Sequence, residues 1–371
     1  MVVAMNKLPH AFLALCLCLP LLLCAQQSPA AAQAGTAMHE PPEPALTHRP
    51  PGPAVEPGRI KLSVVVTDKS GKPVSGLELK DFTLLDNNLP AKILSFHAID
   101  GTAQKADSPV QVILLLDAIN LDFQQVSIAR QDIEKFLRQN GGHLAQPVSI
   151  FIFLNEGVKV LAQPSTDGNA LAASLSQVDS QLRMIGRSQG RYGDIDRFYL
   201  SIRMLTSIAQ GEVSIPGRKL LIWTGPGWPM LDWQGLQISS KTEQQLFDSI
   251  VELSTRLREA HIALYSISSG QAGMGTFLYQ GFLKGVKSAQ KANPPNVSLK
   301  VLAIQSGGRV LGPDNDLAAQ IDNCVQDANA FYTLSFDPPR ADKANEYHDL
   351  KVQIDRPGLK AQTTTGYYNQ P

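Results

Sequence analysis

Apolar positions along the chain follow two rhythms. Near both ends they form short runs bounded by turn residues. In the middle, unbroken apolar runs alternate with amphipathic stretches of helical period. Ile60–Thr67 (IKLSVVVT) reads as a strand and Asp68–Pro73 as a turn, and Leu77–Phe82 leads into a second strand, Phe82–Leu85. Asp86-Asn87-Asn88 then turns the chain into a third, Ala91–Phe96. From Val110 the pattern changes. Val112–Leu116 is a strand apolar on both faces, and it ends abruptly in Asp117, as parallel strands end at a sheet's carboxyl edge. A helix over Phe123–Gln139 follows, stopped by Gly141-Gly142. Val148–Leu154 is the next buried strand, with Val158–Leu161 as an antiparallel edge beside it. The period then predicts helices over Asn169–Arg183 and Ile195–Gln210, a strand over Lys219–Trp223, a long helix over Glu243–Ala260 and a strand over Ile262–Ile267. A short helix (Val297–Gln305), a short strand (Gly308–Leu311) and a last helix (Asp314–Ala328, capped by Asp314 or Asn315) complete the alternation. The tail returns to strands at Phe331–Phe336, Leu350–Ile354 and Ala361–Tyr367.

Strand–helix alternation of this kind predicts an α/β fold, a doubly wound, mostly parallel, Rossmann-like sheet with helices on both faces. The early and late strands are too few to stand apart. Together they are expected to build a small β-sandwich-like domain into which the α/β domain is inserted. The expected boundaries are residues 59–104 and 331–371 for the two parts of the β domain and 109–330 for the α/β domain.

Composition changes the picture mainly before residue 59. Lys7 followed by apolar Ala11–Leu23 has the form of a secretory signal over residues 1–25, too short to span a bilayer, with cleavage expected after Ala25. Leu23, a large residue directly before Cys24, argues against lipid attachment at that cysteine. Residues 26–58 hold eight prolines and many alanines and read as an extended tether. The mature chain is therefore expected to be secreted or periplasmic, without a membrane span. Cys16, Cys18 and Cys24 fall in the signal, which leaves Cys324 alone, at an apolar helix position and without a disulfide partner. Lys plus Arg and Asp plus Glu both number 33, so charge gives no reason to expect nucleic acid as a partner.

Catalytic signatures are few. HExxH, paired CxxC, the P-loop and the dinucleotide glycine fingerprint are absent. Gly186-Arg-Ser188-Gln-Gly190 matches G-x-S-x-G, but the serine follows a helical pattern rather than the strand that a nucleophile elbow requires. A serine hydrolase is the lesser alternative to a non-enzymatic protein. The three tryptophans, Trp223, Trp228 and Trp233, share one Gly/Pro-rich stretch after a central strand. Trp223 reads as core. Trp228 and Trp233, with Met230, read either as a rigid contact surface for a protein partner or as a loop folded over its own core.

The α/β region resembles a von Willebrand factor type A domain. The chain from about Arg59 onward is similar to the secreted VWFA-related family common in Acidobacteria. The resemblance rests on Val64–Leu77 (VVTDKSGKPVSGL within it), Asp81–Asp86, Val112–Asp117, Ser306–Val310, Tyr332–Phe336, Arg356–Lys360 and Gly366–Tyr368. It implies an interaction or adhesion module. Type A domains bind Mg²⁺, and through it a ligand carboxylate, with oxygens from D-x-S-x-S, a threonine and a later aspartate. Asp117 matches the first aspartate, but Ile119 and Leu121 stand where the serines belong. Asn120 and Asp122 are out of step by one. The second loop offers Asp194 and no threonine, and Thr224-Gly225-Pro226-Gly227 replaces Thr-Asp-Gly. The expectation is a degenerate site and no cofactor, with partner contacts through Asp117, Asn120, Asp122, Asp194, Thr224, Trp228 and Trp233. A rebuilt Mg²⁺ site using Asp117, Asn120 and Asp194 is the alternative, with Asp117 otherwise serving as a cap on its own loop. A structural envelope protein without a discrete ligand is a further one.

Overall fold

The computed structural model describes residues 58–100, 110–178, 190–231, 239–268 and 277–371. The expected signal, most of the tether, Arg183, Ser188 and Trp233 lie outside the described residues. The chain begins with β1 (Ile60–Thr67), β2 (Phe82–Asp86), β3 (Leu89–Pro90) and β4 (Ser95–Asp100). The α/β part follows as β5 (Val110–Asp117), α1 (Phe123–Leu137), β6 (His143–Leu154), β7 (Gly157–Val160), β8 (Ser165–Asp167), α2 (Gly168–Ser176) and α3 (Gly190–Glu212). It continues through β9 (Arg218–Thr224), α4 (Ser240–Glu259), β10 (Ile262–Ile267), α5 (Leu299–Gln305) and α6 (Leu317–Val325). The tail supplies β11 (Ala330–Phe336), β12 (Glu346–Ile354), β13 (Lys360–Gln362) and β14 (Gly366–Asn369).

The central sheet runs β10-β9-β5-β6-β7, with β8 paired to β6. β10, β9, β5 and β6 are mutually parallel, and β7 is the antiparallel edge. Taking its strands in chain order, the chain starts in the middle, winds out through β6 and β7, and then returns to the other side of β5. That is the doubly wound arrangement, and it places a topological switch point between the carboxyl ends of β5 and β9. Period-two alternation explains the two layers. Val112, Leu114 and Leu116 of β5 pack with α1, α2 and α6, while Ile113 and Leu115 pack with α3, α4 and α5.

Strands from the two chain ends join. β1 pairs with β11 and β13, and β11 with β4, in a sheet ordered β13-β1-β11-β4. β12 pairs with β2 and β14 in a second sheet, β14-β12-β2-β3. Between them lies a separate core that includes Leu62, Val64, Phe82, Leu84, Tyr332, Leu334, Val352 and Tyr367. The second sheet rests its outer face on the α/β layer. Tyr368 meets Phe247 of α4 edge-on and donates its hydroxyl to Val286 O at 3.0 Å.

Four local expectations are corrected. The third strand is Ser95–Asp100, not Ala91–Phe96, because pairing with β11 opposes His97 to Thr333 and Phe96 to Leu334. The last predicted strand splits: Lys360–Gln362 pairs with β1 and Gly366–Asn369 with β12, so the chain changes sheets between them. Gly308–Leu311 shrinks to a bridge between Val310 and Ser266. The cap of the last helix is Asp316, whose carboxylate accepts from Ala319 N at 3.1 Å, while Asp314 accepts from Asp316 N. Cys324 is fully buried in the core, as its helical position predicts.

His261 sits in the turn between α4 and β10 with φ +53°. Burial, with Lys219, Lys61 and Arg258 adding like charge, pushes its imidazole down to about 4. The unfolded chain takes up that proton first, near pH 6.5, so stability falls as pH drops from about 6.5 to about 4. His261→Asn, which tolerates the positive φ, is expected to remove up to about 3 kcal/mol of that loss. Urea unfolding at a series of pH values checks it; identical slopes for both proteins contradict it.

Candidate functional site

The run of apolar residues in β5 carries Asp117 to the carboxyl edge of the sheet at the switch point, and there the side chain is fully buried. Its carboxylate is enclosed by N–H donors. Oδ1 accepts from the backbone of Ile119 at 3.1 Å and of Asn120 at 2.9 Å. Oδ2 accepts from the Asn120 amide at 2.9 Å and from the Trp223 indole of β9 at 2.8 Å. Among the described residues no cation pairs with it. Desolvation raises its carboxyl above the ordinary aspartate value, against the pull of the donated hydrogen bonds.

Among the described candidates, Asn120 supports this carboxylate and the others are engaged elsewhere. Asn120 also donates to Ser201 Oγ of α3 at 3.3 Å, and Ser201 is fully buried. Asp122 caps α1, accepting from Gln125 N at 2.8 Å while the Gln125 side chain returns to Asp122 N at 2.9 Å. Three more of the seven have their polar groups engaged within the protein, and Trp228 also lines the cleft described below. Asp194 lies in the first turns of α3, not in a loop, and pairs with Arg197. Thr224 is buried and donates its hydroxyl to Leu115 O at 2.7 Å. Trp228 is 3% exposed, packs edge-on against Trp223 and donates its indole to Val297 O at 3.1 Å. The glycines and prolines around it fold the loop inward over its own core.

The residues do not fit Mg²⁺. That ion demands near-octahedral oxygen ligands, whereas both Asp117 oxygens face N–H groups, and Ile119 and Leu121 bring buried hydrocarbon to the same loop. Gly225 directly follows β9. It has φ +153°, and a Cβ there would lie 2.9 Å from the Asp117 Cβ. The loop after β9 thus closes directly onto Asp117, and a side chain at this position has no room. Among the described residues no group of three or more His, Cys, Asp or Glu is placed to hold a metal.

Beside the closed carboxylate lies a cleft of about 520 Å³. Ile119, Leu121, Pro226, Trp228, Met230 and Leu299 give it an apolar lining, with Asn120, Asp122, Gln125, Arg197 and Lys300 among its polar groups. Lys300 stands over the Tyr279 ring at 5.9 Å and makes no ion pair among the described residues; partial burial lowers its ammonium from the usual lysine value. Phe123, the residue after Asp122, is 59% exposed. Ser201, Leu299, Lys300 and Phe123 were not singled out by sequence reasoning. Ser201 had a signal, a polar residue within the helical stripe Phe198, Ile202, Leu205 and Ile208. Lys300 had none, because only the fold brings α5 to this edge.

No family model matches the chain, and no curated protein matches it. Solved structures similar to it include the human COPII-coat protein Sec24c, with TM-score 0.34, 10% identity, and 74% of this chain against 46% of that one. This chain therefore spans less than half of the Sec24c chain. Manganese-loaded Plasmodium vivax TRAP has TM-score 0.34, 10% identity, and coverage of 76% and 100%. The SpRpn10 VWA domain has TM-score 0.27, 12% identity, and coverage of 58% and 94%. The Rossmann-like fold itself rests on the strand order and directions of the central sheet.

Trp223→Phe deletes one donor to a buried carboxylate and, by putting a smaller phenyl ring where a fully buried indole stood, also leaves a void. It is expected to cost at least about 2 kcal/mol in urea unfolding with an unchanged m value. A loss under about 0.5 kcal/mol, the range of an ordinary surface substitution, contradicts the role given to that hydrogen bond.

Proposed function

We propose that this chain is an exported, non-enzymatic protein-interaction module that binds its partner at the carboxyl edge of the α/β sheet without a metal ion. The observation that carries this reading is the cleft at the switch point. Open α/β sheets bind ligands there, and this one has an apolar lining and a lysine without an ion-pair partner among the described residues, with the exposed Phe123 next in sequence to its lining residue Asp122. Such groups suit an apolar side chain of a partner segment, with an acidic neighbour for Lys300. Export rests on the pattern of residues 1–25, and the absence of a catalytic role on the lack of a nucleophile–base pair among the residues around the cleft.

Phe123→Ala and Lys300→Glu change groups that stand at the surface or at the cleft wall and take part in none of the Asp117 hydrogen bonds. Together they are expected to abolish crosslinking to whichever extracytoplasmic protein the wild type captures, while the thermal melt stays unchanged. Retained crosslinking at unchanged stability refutes the cleft as the contact. Calorimetry with Mg²⁺, Mn²⁺ and Ca²⁺ should show no binding heat; a micromolar site lost in Asp117→Asn refutes the metal-free reading.

A further inference from the structure

After β10 the chain leaves the carboxyl edge of the central sheet, and it returns to the cleft at the start of α5. The charges of this stretch have one sign. Between Glu259 and Asp314 there is no aspartate or glutamate, while Lys284, Lys287, Lys291 and Lys300 all fall there. The first three are exposed, and none of the four makes an ion pair among the described residues. Helix α4 packs against residues 289–291 and carries the nearest acids in the chain. Two of these are engaged along that helix, Glu252 with Arg256 at 2.9 Å and Asp248 with the Gln244 amide at 2.8 Å, and Glu243 lies in its first turn.

The stretch is fastened beside the cleft. Lys300 lines the cleft and stands over the Tyr279 ring. The Gln305 amide donates to Leu283 O at 3.2 Å, and the Asn296 amide to Phe282 O at 3.4 Å. These contacts hold residues 279–283 against α5 and the residues just before it. Phe277 and Leu278, next in sequence to Tyr279, are 67% and 64% exposed. Two adjacent bare apolar side chains in a segment of unpaired lysines, joined to an apolar cleft, suit a partner that combines acidic and apolar groups. A bilayer surface is flat on this scale and leaves a cleft of about 520 Å³ unfilled, whereas the side chains of a polypeptide enter it.

We propose that the partner segment taken up by the cleft is an acidic polypeptide, drawn in by the field of Lys284, Lys287, Lys291 and Lys300 and anchored by apolar side chains in the cleft and against Phe277 and Leu278. The proposal rests on the cleft reading and adds the partner's chemistry to it. Charge of this kind sets the rate of encounter and the choice of partner, and salt screens it over about 8 Å at physiological ionic strength.

Fluorescence anisotropy with the full chain and a short labelled peptide of glutamates around one central leucine tests this. The peptide is expected to bind, more weakly as sodium chloride rises, and its counterpart with lysines in place of the glutamates is not. The triple variant Lys284→Gln, Lys287→Gln, Lys291→Gln changes exposed groups only. It should keep the thermal melt of the wild type and bind the acidic peptide about tenfold more weakly. A wild type that ignores the acidic peptide overturns the proposal, as does a triple variant that binds it as tightly as the wild type. Binding to phosphatidylglycerol vesicles in place of the peptide overturns it in favour of a membrane. Crosslinking separates it from the reading it rests on: a triple variant that still captures, undiminished, the protein lost by Phe123→Ala with Lys300→Glu leaves the cleft standing and removes the acidic partner.

Discussion

A single buried carboxylate organises the carboxyl edge of the central sheet. Asp117 ends the central strand β5 where the sheet reverses its winding, and among the described residues its donors are two backbone amides of its own loop, the Asn120 amide and the Trp223 indole of the neighbouring strand. The burial of an aspartate is expensive unless hydrogen bonds replace its water, and here they tie the loop after β5 to β9. Gly225 completes the closure, since only a residue without a Cβ lets the second loop pass this close.

The rest of the edge follows from that closure. Because Trp223 turns toward Asp117, Trp228 can stack edge-on against it and fold its loop inward. Because Asn120 is held on Asp117, its amide also reaches Ser201 and draws α3 against the switch point. What remains open is the space between the loops of residues 119–122 and 226–230 and the start of α5, and that space is the cleft. Asp117 is a structural tie between the loop after β5 and β9, and the open surface lies beside it.

The architecture was legible because doubly buried parallel strands have to be unbroken apolar runs, and Val110–Asp117 has no other reading. The joining of early and late strands was legible from their number, since neither set makes a sandwich alone. The errors lie where sequence is symmetric between outcomes. An aromatic residue in a Gly/Pro loop reads the same whether it folds in or out, and Trp228 folded in. The register of β4 was set by β11, hundreds of residues away in the chain, which local alternation does not encode. The type A resemblance puts Asp194 in a second loop ahead of a helix over Ile195–Gln210, yet α3 begins at Gly190. Of the site itself, Asp117 and its capping role were legible. Its indole donor, Ser201 and Lys300 were not, since each depends on contacts between elements far apart in sequence.

Hydrogen exchange at the Trp223 indole, followed in a nitrogen-15 correlation spectrum, tests the closure of Asp117 most directly. If the carboxylate is held by that indole, the N–H signal exchanges only with global unfolding and does not move in millimolar Mg²⁺. Rapid exchange in the native state, or a shift of that signal on adding Mg²⁺, would show that Asp117 opens to solvent and to ions, and would contradict its role as a closed structural tie.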